Sequence, residues 1–128
     1  LRAERFDAKL AARRYARYYE TKLDLFGPEK LARDIVQDDL DDEALEALYS
    51  GMSQFLPRRD NAGRIVLVWV PGPKQACYSR DALRRRMFYV TMMISEDVET
   101  QRKGVVAVLY ALNQQQVLRG SQGSGNIR

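Results

Sequence analysis

Two short apolar runs constrain this chain more than anything else in it: RIVLVWV, residues 64–70, and VVAVLYAL, residues 105–112. Each follows a glycine, Gly63 and Gly104, and each is apolar at both alternating sets of positions. Val66, Val68 and Val70 would share one strand face, and Ile65, Leu67 and Trp69 the other. Val105, Ala107 and Leu109 would oppose Val106, Val108 and Tyr110. A strand apolar on both sides is expected to be buried on both sides. Between the runs lies SRDALRRRMFYVTMMISEDVETQRK, residues 79–103, the longest helix candidate, with Ser79 or Asp81 to cap it and Gly104 to close it. Helix followed by buried strand is half of an α/β unit.

The first fifty residues carry no strand signal. FDAKLAARRYARYYETKLDLFG predicts a helix opened by Asp7 and ended by Gly27. Leu10, Tyr15, Tyr18, Tyr19, Leu23 and Phe26 form its expected core stripe, with Arg13, Arg14, Arg17 and Lys22 on the opposite face. Pro28 suits the first turn of a short second helix, PEKLARDI. The acidic DDLDDEALEALYSG starts a third, stopped by Gly51. MSQFLP and RIVLVWV then pair as a hairpin around RRDNAG. The expectation is therefore an α/β chain with a helical region over 1–50, an α/β region over 51–112 and a polar, Gly/Ser-rich tail over 113–128, expected to be disordered. The opening Leu and this tail read as the ends of a piece of a longer protein.

Composition removes several functions. The 128 residues include one Cys, Cys77, and no His. That excludes an internal disulfide, makes a reducing compartment the default and leaves no Ser–His or Cys–His pair and no zinc set. No apolar run approaches the roughly 18 residues of a membrane-spanning helix. The net charge of +4 suits phosphates on lipid or on nucleic acid alike. A nucleic-acid reading rests on that charge and on RRYARYY, but those tyrosines sit at core-like helical spacing and no nucleic-acid motif accompanies them. No paired carboxylates or Gly-rich phosphate loop point to an enzyme, and no cofactor or metal is expected.

Three stretches resemble the CRAL-TRIO lipid-binding family. LRAERFDAKLAARRYARYY is similar to the family's opening; LYSGMSQFLPRRDNAGRIVLVWV resembles its Gly, strand and D-x-x-G-R-x-V hairpin; VETQRKGVVAV resembles the helix-to-strand junction of the tocopherol- and retinaldehyde-binding branch. They occur in the family's order and span most of residues 1–112. The resemblance implies a helical N-terminal region followed by a mixed-sheet lobe that holds one hydrophobic molecule: a phosphoinositide, a phospholipid or an isoprenoid-type lipid. No chemistry is done on it. The family's later strands, second basic cluster and gate helix would follow residue 112, and NQQQVLRGSQGSGNIR does not look like them, so residues 51–112 are expected to be only the first part, about half, of that lobe.

Carried over by position, the resemblance places Met87, Thr91 and Ile94 on a pocket-lining helix face, and Val105, Ala107 and Leu109 on the last strand beneath the ligand. The positions of Met87 and Thr91 are small hydroxyl residues in the tocopherol-binding branch. Thr91 keeps the hydroxyl and Met87 does not, which leaves the ligand open. Lys22 stands where that branch has a phosphate-contacting Arg, keeping the charge without the bidentate fork. Tyr110 stands where some members hold Asp. The implied protein is cytoplasmic, with transient docking on anionic membranes.

Each of these residues also has a plainer reading. Val105, Ala107 and Leu109 alone would be ordinary core, and Met92 and Met93 fill cores as readily as pockets. Arg84, Arg85 and Arg86 read more simply as a solvated helix face than as phosphate contacts. Trp69 reads as core, Cys77 as an incidental loop residue, and Asp60 and Arg64 as turn residues. The run from Asp38 to Glu43 lacks calcium-loop spacing and reads as a solvated helix start. The competing function within the same fold is a ligand-free interaction module with a protein partner.

Overall fold

A computed structural model describes residues 6–70 and 77–110. The chain divides into two compact units, one up to Leu40 and one from Asp41 onward. The expected 113–128 tail lies outside the described residues.

The first unit is built on α1, Ala8–Phe26. The Asp7 carboxylate accepts from the Leu10 N–H at 2.9 Å and opens the helix. Gly27 closes it at φ 81°, ψ 170°, a conformation open essentially to glycine alone. The buried residues are Lys22, Leu25 and Phe26, one face at i, i+3, i+4 spacing. This corrects the expected stripe: of its six residues only Phe26 is buried, and Tyr15 is 66% exposed. The tyrosines pack on each other, Tyr15 to Tyr19 at 4.8 Å between ring centroids and Tyr18 edge-on to Tyr19 at 5.2 Å. The interior takes Lys22 because its ammonium finds acceptors there, the carbonyls of Leu31 at 3.2 Å and of Arg33. Those carbonyls meet a side chain, and the expected helix PEKLARDI contracts to one 3₁₀ turn, Pro28–Lys30. Further on, Asp39 is gripped by both Arg33 terminal nitrogens at 2.6 Å, by Lys30 at 3.1 Å and by the Val36 N–H at 2.9 Å. The Arg33 fork beside it holds this carboxyl well below the usual carboxylate range.

The second unit begins with α2, Asp42–Tyr49, capped by Asp41. The acidic run does not open the helix earlier because Leu40 is extended, with ψ 139°. α2 therefore belongs with the α/β unit, not with the helical region expected to reach residue 50. The hairpin forms as expected: β1, Ser53–Phe55, pairs antiparallel with β2, Ile65–Trp69. Asp60 organises the connection by accepting from the N–H groups of Ala62 at 3.1 Å and Arg64 at 2.7 Å.

One long helix was expected next; the structure has two. α3, Arg80–Glu96, starts at Ser79, whose hydroxyl accepts from the Ala82 N–H at 3.1 Å. Asp97 is extended at ψ 118° and caps a separate α4, Val98–Lys103. β3, Val105–Leu109, then pairs parallel with β2, giving a mixed sheet in the order β1-β2-β3. The unit is α/β, with α2 packed on α3 and with Ala44, Ala47 and Ala82 fully buried, small side chains that allow two helices to approach. Glu43 ties the same two helices by accepting from the Ser79 hydroxyl at 2.7 Å.

The two apolar strands are less enclosed than their composition predicts. In β2 only Leu67 is buried; its neighbours are half-buried. β3 is the edge of the described sheet, and Val105 is 40% and Leu109 60% exposed. Burial of a strand's two faces needs layers packed above and below the sheet, and apolar composition alone does not supply them. Among the described residues no helix is long and apolar enough to cross a membrane.

Candidate functional site

Strand register decides which side chains the sheet collects. In the parallel pair, Ile65 lies beside Val105, Leu67 beside Ala107 and Trp69 beside Leu109. In the antiparallel pair, Ser53 lies beside Trp69 and Phe55 beside Leu67. Side chains at paired positions point to the same face. One face of the sheet therefore carries Ser53, Phe55, Ile65, Leu67, Trp69, Val105, Ala107 and Leu109. The three β3 residues singled out in the sequence do stand together on it. Their expected burial is corrected: Val105, Ala107 and Leu109 are all exposed, as is Phe55.

On α3 the buried line is Ala82, Arg86 and Val90, four residues apart. Arg86 reaches this sheet face, its Nη1 donating to Ser53 Oγ at 2.7 Å. Met87 and Thr91 occupy the adjoining stripe and are exposed, and Ile94 is half-buried. The Thr91 hydroxyl donates to the carbonyl of Met87 at 2.8 Å within its own helix. Its lone pairs remain to accept from a ligand.

Lys22 belongs to the first unit. It is 2% exposed, and its ammonium is engaged by the Leu31 and Arg33 carbonyls. The expectation of a headgroup contact there is corrected: this is an interior tie between the end of α1 and the segment that follows it.

Sequence reasoning passed over Arg86. Within a triplet of arginines it reads as part of a solvated face, yet in the structure it is 2% exposed. The available signal is its place in the i, i+4 line between Ala82 and Val90. Arg85 of the same triplet pairs with Asp41 at 2.5 Å, and Arg84 with Asp81 at 3.1 Å. Trp69 holds a second feature: its indole N–H is buried without a hydrogen-bond acceptor, as is the Nε–H of Arg86. Cys77 is exposed. Among the described residues no three His, Cys, Asp or Glu side chains cluster as metal ligands.

No protein-family model, no curated protein and no solved structure matches the chain.

Proposed function

We propose that this chain is a non-enzymatic binding module for a hydrophobic molecule, of the CRAL-TRIO type, that holds its ligand on the sheet face of Val105, Ala107 and Leu109. The observation that carries this is the exposure of that face. Phe55, Val105 and Leu109 share it by register and all remain open, while Leu67 between them is buried. Soluble proteins rarely leave such a surface uncovered without a partner for it. Each ~100 Å² of apolar area covered contributes about 2.5 kcal/mol. The Met87–Thr91 stripe of α3 adds a pliable thioether and a hydroxyl beside the helix line that meets the sheet. The net charge of +4 favours transient docking on anionic membranes.

Organic extraction of the purified protein, with mass spectrometry of the extract, tests this. One stoichiometric lipid or isoprenoid-type molecule is the expected result. Leu109→Trp fills the face with a bulky side chain at an exposed position, so the fold survives and the ligand is lost. An empty protein that takes up neither added phospholipid nor added isoprenoid sinks the proposal.

A second function is favoured by one further feature. Among the described residues the outer edge of β3 has no strand partner, and an apolar edge is a template for strand addition. A ligand-free adaptor would place a protein partner there. It predicts an empty extract together with loss of partner binding when Ala107→Pro removes an outward-facing N–H from the free edge of β3.

A further inference from the structure

Arg86 is a buried cation without a counter-ion among the described residues. It is 2% exposed, and its partners are neutral: Ser53 Oγ at 2.7 Å on Nη1 and Met87 Sδ at 4.0 Å on Nη2. No described carboxylate pairs with it; Asp81 and Asp41 are taken by its neighbours Arg84 and Arg85. Burial pushes its guanidinium pKa down, with no neighbouring charge to offset the effect. An interior charge of this kind is costly unless something compensates it.

The pattern of bonding shows which part of the group is left over. Nη1 is satisfied by Ser53. Nε has no acceptor, and Nη2 has only a distant thioether. Nε and Nη2 lie on one edge of the guanidinium plane, the edge that takes two oxygens of a carboxylate or phosphate in parallel hydrogen bonds. The buried indole N–H of Trp69 is a third donor without an acceptor. Trp69 stands directly opposite Ser53 across the β1–β2 ladder. The ladder hydrogen bonds fall on Val70 with Met52 and on Leu56 with Val66, so Ser53 and Trp69 form the non-hydrogen-bonded kind of pair, whose side chains lie closest. Three donors thus belong to one face of the sheet, on or against the paired positions Ser53 and Trp69, and the same row continues across the sheet to exposed Leu109.

The geometry points to an oxyanion-binding site formed by the Nε/Nη2 edge of Arg86, the Ser53 hydroxyl and the Trp69 indole N–H, placed to receive the carboxylate or phosphate head of an amphiphile whose tail runs over Leu109. Met87, partly exposed, lies against Nη2 through its thioether, so an entering head group would have to displace it. The tail half of this inference rests on the proposed apolar-ligand function; the donor half stands without it.

Trp69 is the only tryptophan, so its fluorescence reports on the site. The full 128-residue chain and its Arg86→Met, Arg86→Lys and Ser53→Ala variants are titrated with inorganic phosphate, decanoate and decanol. Circular dichroism establishes that each variant is folded. The expected result is saturable decanoate binding, weakened by about tenfold or more in R86M, less in R86K, which keeps the charge without the fork, and by a few-fold in S53A. Decanol binds more weakly than decanoate and is indifferent to R86M. Binding of phosphate, with decanoate no better, supports the donor site with a free anion as its ligand and removes the apolar-ligand function. Equal binding of decanol and decanoate, unaffected by R86K or S53A, overturns the oxyanion site and leaves the apolar-ligand function standing. No saturable response to any of the three overturns both. Should R86M not fold, R86K and S53A carry the same comparison.

Discussion

Arg59 and Asp97 are 38 residues apart in sequence, and their side chains meet with Nη2 2.7 Å from Oδ2. Arg59 lies in the connection between β1 and β2; Asp97 is the single extended residue between α3 and α4. Arg59 also donates to the Gly63 carbonyl at 3.0 Å and to Thr100 Oγ1, and pairs with Glu99. Asp97 in turn accepts from the Thr100 N–H at 2.7 Å and from the Thr100 hydroxyl. The helix break and the hairpin loop are therefore one assembly. The break aims the chain back along β2, and so determines where β3 and its apolar residues lie.

That assembly titrates. The Thr100 hydroxyl, Arg59 and the Thr100 N–H hold the Asp97 carboxyl down at about 2. An unfolded Asp titrates near ~3.9. A depressed folded value means that the stabilisation is complete above about pH 4 and is lost as pH falls through about 2. Stability should decline across that window with a contribution that Asp97→Asn lacks. In Arg59→Met the Asp97 titration should move back up toward the ordinary value. Side-chain carboxyl NMR across pH 1.5–5 follows both; an Asp97 resonance titrating at the ordinary value in the parent chain would contradict the assembly.

Lys22 provides a contrasting case in the first unit. Lys22→Met keeps the length of the side chain but leaves the Leu31 and Arg33 carbonyls without their donor. A cost of about 1–3 kcal/mol is expected, with ligand and vesicle binding unchanged. Chemical denaturation and vesicle co-sedimentation read the two effects separately. Lost vesicle binding at unaltered stability would restore Lys22 as a phosphate contact.

The residues that sequence placed correctly are those whose roles are local. Asp7, Ser79, Gly27 and Gly104 act on the backbone within four positions, so the helix ends they form are legible, as is the turn that Asp60 organises. Legibility failed where a distant partner decided the outcome. Lys22 is interior because two carbonyls beyond α1 meet it, and Arg86 because Ser53, 33 positions away, accepts from it. Asp97 looks like one more polar residue of a long helix until Arg59 is seen beside it. The apolar composition of β3 identified a strand but said nothing of how many neighbours the strand has. For the candidate site, alternation put Val105, Ala107 and Leu109 on one face, while their exposure, and the donors of Arg86 and Trp69, belong to tertiary structure.

Gly104 separates backbone strain from packing. It sits at φ 87°, ψ −173°, and a Cβ placed there meets nothing within 4 Å. Any cost of Gly104→Ala is therefore conformational, about 1–3 kcal/mol. Gly104→Asn should do no better, because the tolerance of Asn is for the left-handed helical region at a much smaller ψ. Equilibrium unfolding of the two variants measures this. A neutral Gly104→Ala would mean that the α4–β3 junction adopts another conformation.

The enclosure of β3 can be measured with two leucines on one face of the sheet. Leu67 is 6% exposed in the central strand, and Leu109 is 60% exposed at the edge. Leu67→Ala removes buried methyl groups and leaves a cavity, so a loss of about 2–4 kcal/mol is expected. Leu109→Ala removes atoms that already meet solvent, and in the ligand-free chain it should change stability by less than about 0.5 kcal/mol. Under the proposed function, a bound ligand would make Leu109 part of a buried surface. The same substitution should then reduce the ligand-induced rise in melting temperature, because linkage transmits lost affinity into apparent stability. Thermal unfolding of both variants, with and without the extracted or added apolar molecule, gives all four values. Equal costs for the two leucines without ligand would mean that β3 is covered by protein, and would move the open face, and the ligand with it, to another part of the chain.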